Sequence, residues 1–180
     1  GVPVDIALVS AAALSHDIGK FGCRGEDTKR IPYLHYYYTN QWLLSHKLPN
    51  VAHIASNHST WDLEYENLPV ESLLLIYADF RVRGARDESG REKVSIHTLA
   101  EAGGIIFGKL SDNTLPEKRN RYRRVYQKLC DFEDYLIHLS VNPDPTSSEP
   151  LPAEARDPAL LFGKEAADGI CRMAIRQNIA

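Results

Sequence analysis

A histidine and an aspartate stand side by side at positions 16 and 17, in the segment Ser15-His16-Asp17-Ile18-Gly19-Lys20. An imidazole nitrogen and a carboxylate oxygen together suit borderline-to-hard divalent cations such as Fe, Mn, Ni, Co, Zn or Mg. Adjacent side chains on a helix diverge by about 100°, yet both reach one ion placed beside the helix end. Lys20 follows His16 by one turn on the same face. Its ammonium could neutralise a phosphate held at the metal. The dipeptide also has a plainer reading, in which an aspartate and a histidine close a helix and meet its dipole.

Most of the seven histidines fall in the first 60 residues. His53 precedes His58 by five positions, so on one helix the two point about 140° apart and do not easily share an ion. His53 is therefore a supporting or surface residue, with ligation in place of His58 as its alternative. His46, His97 and His138 read as ordinary surface or core residues, and His97, ahead of Thr98, could cap a helix start. The densest basic run, Lys118-Arg119-Asn120-Arg121-Tyr122-Arg123-Arg124, has the composition of an RNA or polyphosphate contact. Its flanking apolar periodicity favours an amphipathic helix whose charges mostly decorate the wet face.

The elements that must carry these residues are helical almost throughout. Val4 to His16 combines Ala and Leu after Pro3, without an internal Gly or Pro. Cys23 to Ile31 reads as a charged loop, and Pro32 opens a helix over Tyr33 to His46. Val51 to Asn57 is a short helix, and Ser59 to Leu68 a loop. Pro69-Val70-Glu71 begins a strong helix running through Phe80; Gly84 to Arg91 is a polar turn. His97 to Leu110 is a helix weakened by Gly103, Gly104 and Gly108. Pro116 introduces a long amphipathic helix to about Ser140, with Tyr122, Val125, Tyr126, Leu129, Phe132, Leu136 and Leu139 at a spacing of three to four. Five prolines punctuate 142–158, which reads as a linker, and Asp157-Pro158 caps a last helix from about Ala159 to Asn178. The pattern gives an all-α protein, with domain 1–141, Pro-rich linker 142–158 and C-terminal helix 159–180.

The segment Ala12-Ala13-Leu14-Ser15-His16-Asp17-Ile18-Gly19-Lys20 closely resembles the signature of the HD-domain phosphohydrolases, in which a helix of small apolar residues ends in His-Asp-Ile-Gly-Lys. The resemblance extends from about Val4 to Arg83. His35, in a Tyr- and Trp-rich helix, falls where the family places its next histidine. Asn57-His58-Ser59-Thr60-Trp61-Asp62 is similar to the His-His-Glu-Arg-Trp-Asp stretch of the HD-GYP branch, with His58 matching its second histidine. Asp79, in Leu75-Ile76-Tyr77-Ala78-Asp79-Phe80, resembles the family's last ligand. The resemblance implies an HD-domain helical bundle with metal ligands His16, Asp17, His35, His58 and Asp79, and two divalent ions bridged by Asp17. Asp17 and Lys20 are the expected catalytic residues, and Arg81 and Arg83, which closely follow Asp79, are expected with Lys20 to hold phosphate oxygens beside the metal.

These residues have bland alternatives: a helix-end salt bridge of Asp79 with Arg81 or Arg83, and a solvated helix end for the two arginines. Physical chemistry supports the ligand set, since one histidine and one aspartate cannot saturate a metal, whereas five ligands could share two ions. Two ions lower the pKa of a bridging water and stabilise charge on phosphoryl oxygens.

Two departures accompany the resemblance. The family carries a further histidine on a preceding helix, whereas none of the 15 residues before His16 is one; the chain is expected to lack that first helix. The Gly-Tyr-Pro triplet of the HD-GYP branch is replaced by Leu63-Glu64-Tyr65-Glu66, which argues against cyclic di-GMP as substrate. The leading expectation is hydrolysis of a nucleotide or other small phosphoester. A mixed-valent di-iron oxygenase with the same ligand order, like myo-inositol oxygenase, is one alternative. A non-catalytic metal- or nucleotide-binding module is the other.

Composition constrains partners and setting. A net charge of −3 gives no global attraction to nucleic acid or anionic membrane. No apolar run approaches the about 18 residues of a membrane span. Three dispersed cysteines, Cys23, Cys130 and Cys171, argue against a disulfide framework and for a reducing cytoplasm. The apolar late helix offers a packing surface for a second copy.

Overall fold

Prolines and polar caps set where the helices begin. Asp5 accepts a hydrogen bond from the Leu8 amide and starts α1, Ile6–Ser15. Pro32 stands in the first turn of α2, Ile31–Ser45, and Pro49 opens α3, Pro49–Ser56. α4 covers Val70–Arg81. Thr98 and Glu101 form a reciprocal capping box ahead of α5, Leu99–Gly108, so Thr98 rather than His97 caps that helix. Pro116 opens α6, Pro116–His138. The computed structural model describes residues 3–59, 68–86, 88–90, 92–110 and 114–145. The Ser59 to Leu68 loop and the Pro-rich linker therefore lie largely outside the described residues, and the expected C-terminal helix entirely so.

The described residues are mostly helical, which agrees with the sequence reading, but two of its segments need correction. The charged stretch Cys23 to Ile31 contains a 3₁₀ helix, Gly25–Arg30, and a second 3₁₀ turn, Ile18–Gly22, follows α1. The polar turn at Gly84 to Arg91 is the tip of an antiparallel hairpin of β1, Val82–Arg86, and β2, Glu92–Ile96. Val82 pairs with Ile96 and Gly84 with Val94. Gly90 takes a positive φ of 78° at the tip, a conformation that glycine adopts without strain. The strands escaped the sequence reading because their period-two signal is short and its apolar residues, Val94 and Ile96, are exposed.

The chain divides into two units, with 3–59 and 68–75 in the first and the described residues from 76 to 145 in the second. In the first unit, Ala12 of α1, Leu43 of α2, Ala52, Ile54 and Ala55 of α3, and Leu75 of α4 form a buried core. Leu8, Trp42, Leu48 and Val51 pack against it. The second unit buries Tyr77, Phe80, Leu99, Ala102, Val125, Leu129 and Phe132, with the Tyr77 and Phe132 rings edge to face at 5.8 Å. No helix of the described residues is long and apolar enough to cross a membrane. Cys23 and Cys130 are free thiols.

Candidate metal centre

In the first unit, three helix ends deliver three histidines to one place. His16 caps the C-terminus of α1, His35 lies in the first two turns of α2, and His58 follows the end of α3. The Nδ1 of each ring is taken by a backbone carbonyl. His16 donates to Ala13 at 2.7 Å, His35 to Ile31 at 2.7 Å, and His58 to Ala55. The Ala13 and Ala55 carbonyls belong to the last turns of their helices, where helical donors run out. A carbonyl oxygen only accepts, so Nδ1 carries the hydrogen and Nε2 carries the basic lone pair.

Those Nε2 atoms converge with the carboxylate of Asp17. His35 and His58 bring Nε2 to Nε2 at 3.3 Å. His16 Nε2 lies 3.5 Å from Asp17 Oδ2, and His35 Nε2 lies 3.6 Å from Asp17 Oδ1, so the two carboxylate oxygens face different imidazoles. The His16 and His58 rings meet edge-on at 4.8 Å. His16, Asp17 and His58 each offer a ligand atom within 4.8 Å of the others. Two donors about 2.1 Å from one cation, at right or tetrahedral angles, stand roughly 3.0–3.4 Å apart. The separations of 3.3, 3.5 and 3.6 Å fall at or just beyond that range, and His16, Asp17 and His58 form a group that could hold one divalent cation, with His35 beside it. Nitrogen and oxygen donors without thiolate match the borderline-to-hard ions.

Burial tunes the group. His35 and His58 are 5% and 4% exposed. Burial pushes the His35 pKa down, against weaker upward pulls from the Ile31 hydrogen bond and the Asp17 carboxylate, and so favours the neutral, ligating form. Tyr36 packs tilted against both buried rings, with centroids 3.8 Å from His35 and 4.6 Å from His58. Lys20 donates to Asp17 Oδ2 from a half-exposed position.

Gly19 and Thr39 hold the segment against α2. The Gly19 amide donates to Thr39 Oγ1 at 3.0 Å, and that hydroxyl donates to the His16 carbonyl at 2.9 Å. A Cβ on Gly19 would stand 2.0 Å from the His35 carbonyl oxygen and 2.4 Å from the Thr39 nitrogen. Only glycine allows this approach, which brings Asp17 alongside His35.

No family model, curated protein or solved structure matches the chain. The site therefore stands on its own geometry.

Asp79 belongs to the second unit, exposed on the last turns of α4. Arg81 is buried there, donating from Nε to the His97 carbonyl at 2.8 Å, from Nη1 to Tyr77 Oη at 2.7 Å and from Nη2 to the Pro143 carbonyl. Those three bonds engage its guanidinium inside the unit. Arg83 donates to the Val82 carbonyl at 2.7 Å. His53 is exposed on α3 and outside the cluster, His46 stacks on Trp42 at 4.0 Å, and His138 is exposed. Three residues of the site went unread in the sequence. Gly19 stood inside the quoted motif as mere punctuation, while Tyr36 and Thr39 carry no local signal beyond their neighbourhood to His35.

Proposed function

We propose that the chain is a metal-dependent phosphohydrolase whose cation is held by His16, Asp17, His35 and His58, and whose substrate is a nucleotide or other small phosphoester. The observation that supports it is the convergence of three Nε2 atoms and both Asp17 oxygens, each ring being fixed in the ligating tautomer by a carbonyl. The resemblance of Ala12 to Lys20 to the HD-domain signature supports the same reading. A divalent cation bound there supplies Lewis acidity to a phosphoryl oxygen and makes a water more acidic.

The chain's own groups do the rest. The carbonyls of Ala13, Ile31 and Ala55 keep the imidazoles from rotating. Asp17 divides its two oxygens between His16 and His35. Lys20, anchored on Asp17 and half-exposed, would offer its ammonium to a phosphate oxygen. His16, Asp17 and His58 group closely enough to serve one cation, and His35 adjoins both His58 and Asp17.

The test is metal analysis and turnover of the chain loaded with Mn or Fe, assayed on nucleotides, cyclic nucleotides and phosphomonoesters. Bound metal, hydrolysis of at least one class, and loss of both in Asp17→Ala are expected. No turnover on any class, with metal content unchanged in Asp17→Ala, overturns the proposal. Iron-dependent consumption of dioxygen would replace it with the oxygenase reading, and Asp17-dependent metal without turnover with a binding module.

A further inference from the structure

Two arginines of the basic run Lys118 to Arg124 border a cavity. Arg119 and Arg123 stand one turn apart on α6, and with Tyr126 and Gln127 they form a single stripe along the helix. Opposite them are Phe107 and Leu110, at and just beyond the C-terminal end of α5. These six residues line a cavity of about 340 Å³, within the size range of small-molecule sites. All of them belong to the second unit.

The lining has two characters. Arg119 and Arg123 bring two guanidinium groups, and no acidic residue is among the six. Phe107 and Tyr126 form an aromatic corner, with centroids 5.6 Å apart and planes at 82°. Tyr126 is fixed from behind: a Cβ on Gly103 would stand 2.6 Å from its ring, so the ring rests directly on the backbone of α5. Gln127 adds an amide anchored by a 3.0 Å bond to Asp131. Paired guanidiniums recognise phosphate through forked hydrogen bonds, and a fixed aromatic wall recognises the face of a flat ring.

We propose that this cavity binds a small aromatic phosphate of the nucleoside monophosphate class, with the phosphate on Arg119 and Arg123 and the base against Tyr126 and Phe107. The arrangement requires no metal. It would hold whether or not the histidine cluster hydrolyses phosphoesters.

The experiment is a titration of AMP into the full chain in the presence of EDTA, followed by NMR of the Gln127 side-chain amide and the Tyr126 ring. Chelation keeps the histidine cluster out of the readout, so failure here and failure of the hydrolase proposal are distinct. Saturable shifts at Gln127 and Tyr126 are expected. Arg123→Gln, at an exposed position, should weaken binding by about tenfold or more while leaving the unfolding midpoint in place. Adenosine and inorganic phosphate should each bind at least about tenfold more weakly than AMP. The proposal is overturned if millimolar AMP leaves Gln127 and Tyr126 unmoved, if Arg123→Gln binds as well as the parent, or if inorganic phosphate alone matches AMP. An oligoadenylate that binds far more tightly, with shifts spread from Lys118 to Arg124, would overturn it in favour of an RNA-binding face.

Discussion

His35 and His58 turn their Nε2 atoms toward each other at 3.3 Å, while the carbonyls of Ile31 and Ala55 hold their Nδ1 hydrogens. Two neutral imidazoles so placed set lone pair against lone pair, and a cation between them converts that repulsion into attraction. A proton would serve less well, because burial disfavours the charged form of His35. With both rings neutral, the pair carries an electrostatic cost that a bound cation would remove.

Metal should therefore stabilise the first unit. At a hundredfold excess over its dissociation constant, a cation that binds only the folded chain adds about 2.7 kcal/mol. Calorimetry with Mn or Zn is expected to show a higher Tm than with EDTA. His35→Gln and His58→Gln should each abolish most of the difference. A Tm indifferent to metal in the parent chain would count against the site.

Gly19 tests how the site is positioned. Its Cβ would collide with backbone on α2, at the His35 carbonyl and the Thr39 nitrogen, and backbone cannot move aside as a flexible side chain can. Gly19→Ala is expected to lose about 3 kcal/mol of stability in chemical denaturation. Thr39→Val would strand the Gly19 amide and the His16 carbonyl at a fully buried position, at a cost of about 1–3 kcal/mol. Thr39→Ser, which keeps the hydroxyl, should recover most of the loss and restore metal binding.

Lys20 donates to Asp17 Oδ2, an oxygen that the proposed cation would also use. The pair is well exposed, so its net worth is small. Lys20→Met is expected to leave metal affinity unchanged or raise it by up to about fivefold, while raising KM for a phosphate substrate. If isothermal titration instead showed metal affinity falling about tenfold or more, Lys20 would be orienting Asp17, and its assignment to phosphate would be wrong.

The helices were legible because their signals are local. Prolines at 32, 49 and 116 sit at helix starts, and the apolar spacing from Tyr122 to Leu136 matches the period of α6. That His53 and His58 do not easily share an ion also followed from a local rule, the 100° step per helical residue. What stayed illegible depends on partners distant in sequence. The acceptors of Arg81 lie 16 residues away at His97 and 62 away at Pro143, so its side chain read as a phosphate contact. Nothing local marks the role of Gly19, because its reason, the backbone of α2, lies 20 residues on at Thr39. The place of Arg119 and Arg123 on a cavity wall was hidden for the same reason, since the opposing wall is α5.

The α5 cap should give a defined acid response. Glu101 is held below the ordinary carboxylate value, chiefly by the Thr98 amide and then by the Thr98 hydroxyl. A carboxylate whose pKa is lower in the folded state contributes in full above its unfolded value, and that contribution is lost as pH falls through the folded value. Titration of the Glu101 side-chain carbon by NMR should give a midpoint below that of an unstructured glutamate. Glu101→Gln should make stability flatter with pH across the acid range.

Arg81 distinguishes an internal role from a phosphate contact. Its three donors satisfy the His97 and Pro143 carbonyls and Tyr77 Oη, and Tyr77 in turn donates to Glu133. Burial and the Glu133 partner both push the Tyr77 pKa up, so the phenol stays protonated and the chain of bonds keeps its direction at neutral pH. Arg81→Met would leave two carbonyls and a phenol short of a donor in a buried setting, for a loss of about 3 kcal/mol. Hydrogen exchange is expected to rise at the His97 amide, which donates to the Arg81 carbonyl, and across the start of α5. Metal content and KM of the remaining folded protein should be unchanged. A variant with parental stability and a raised KM would return Arg81 to the substrate.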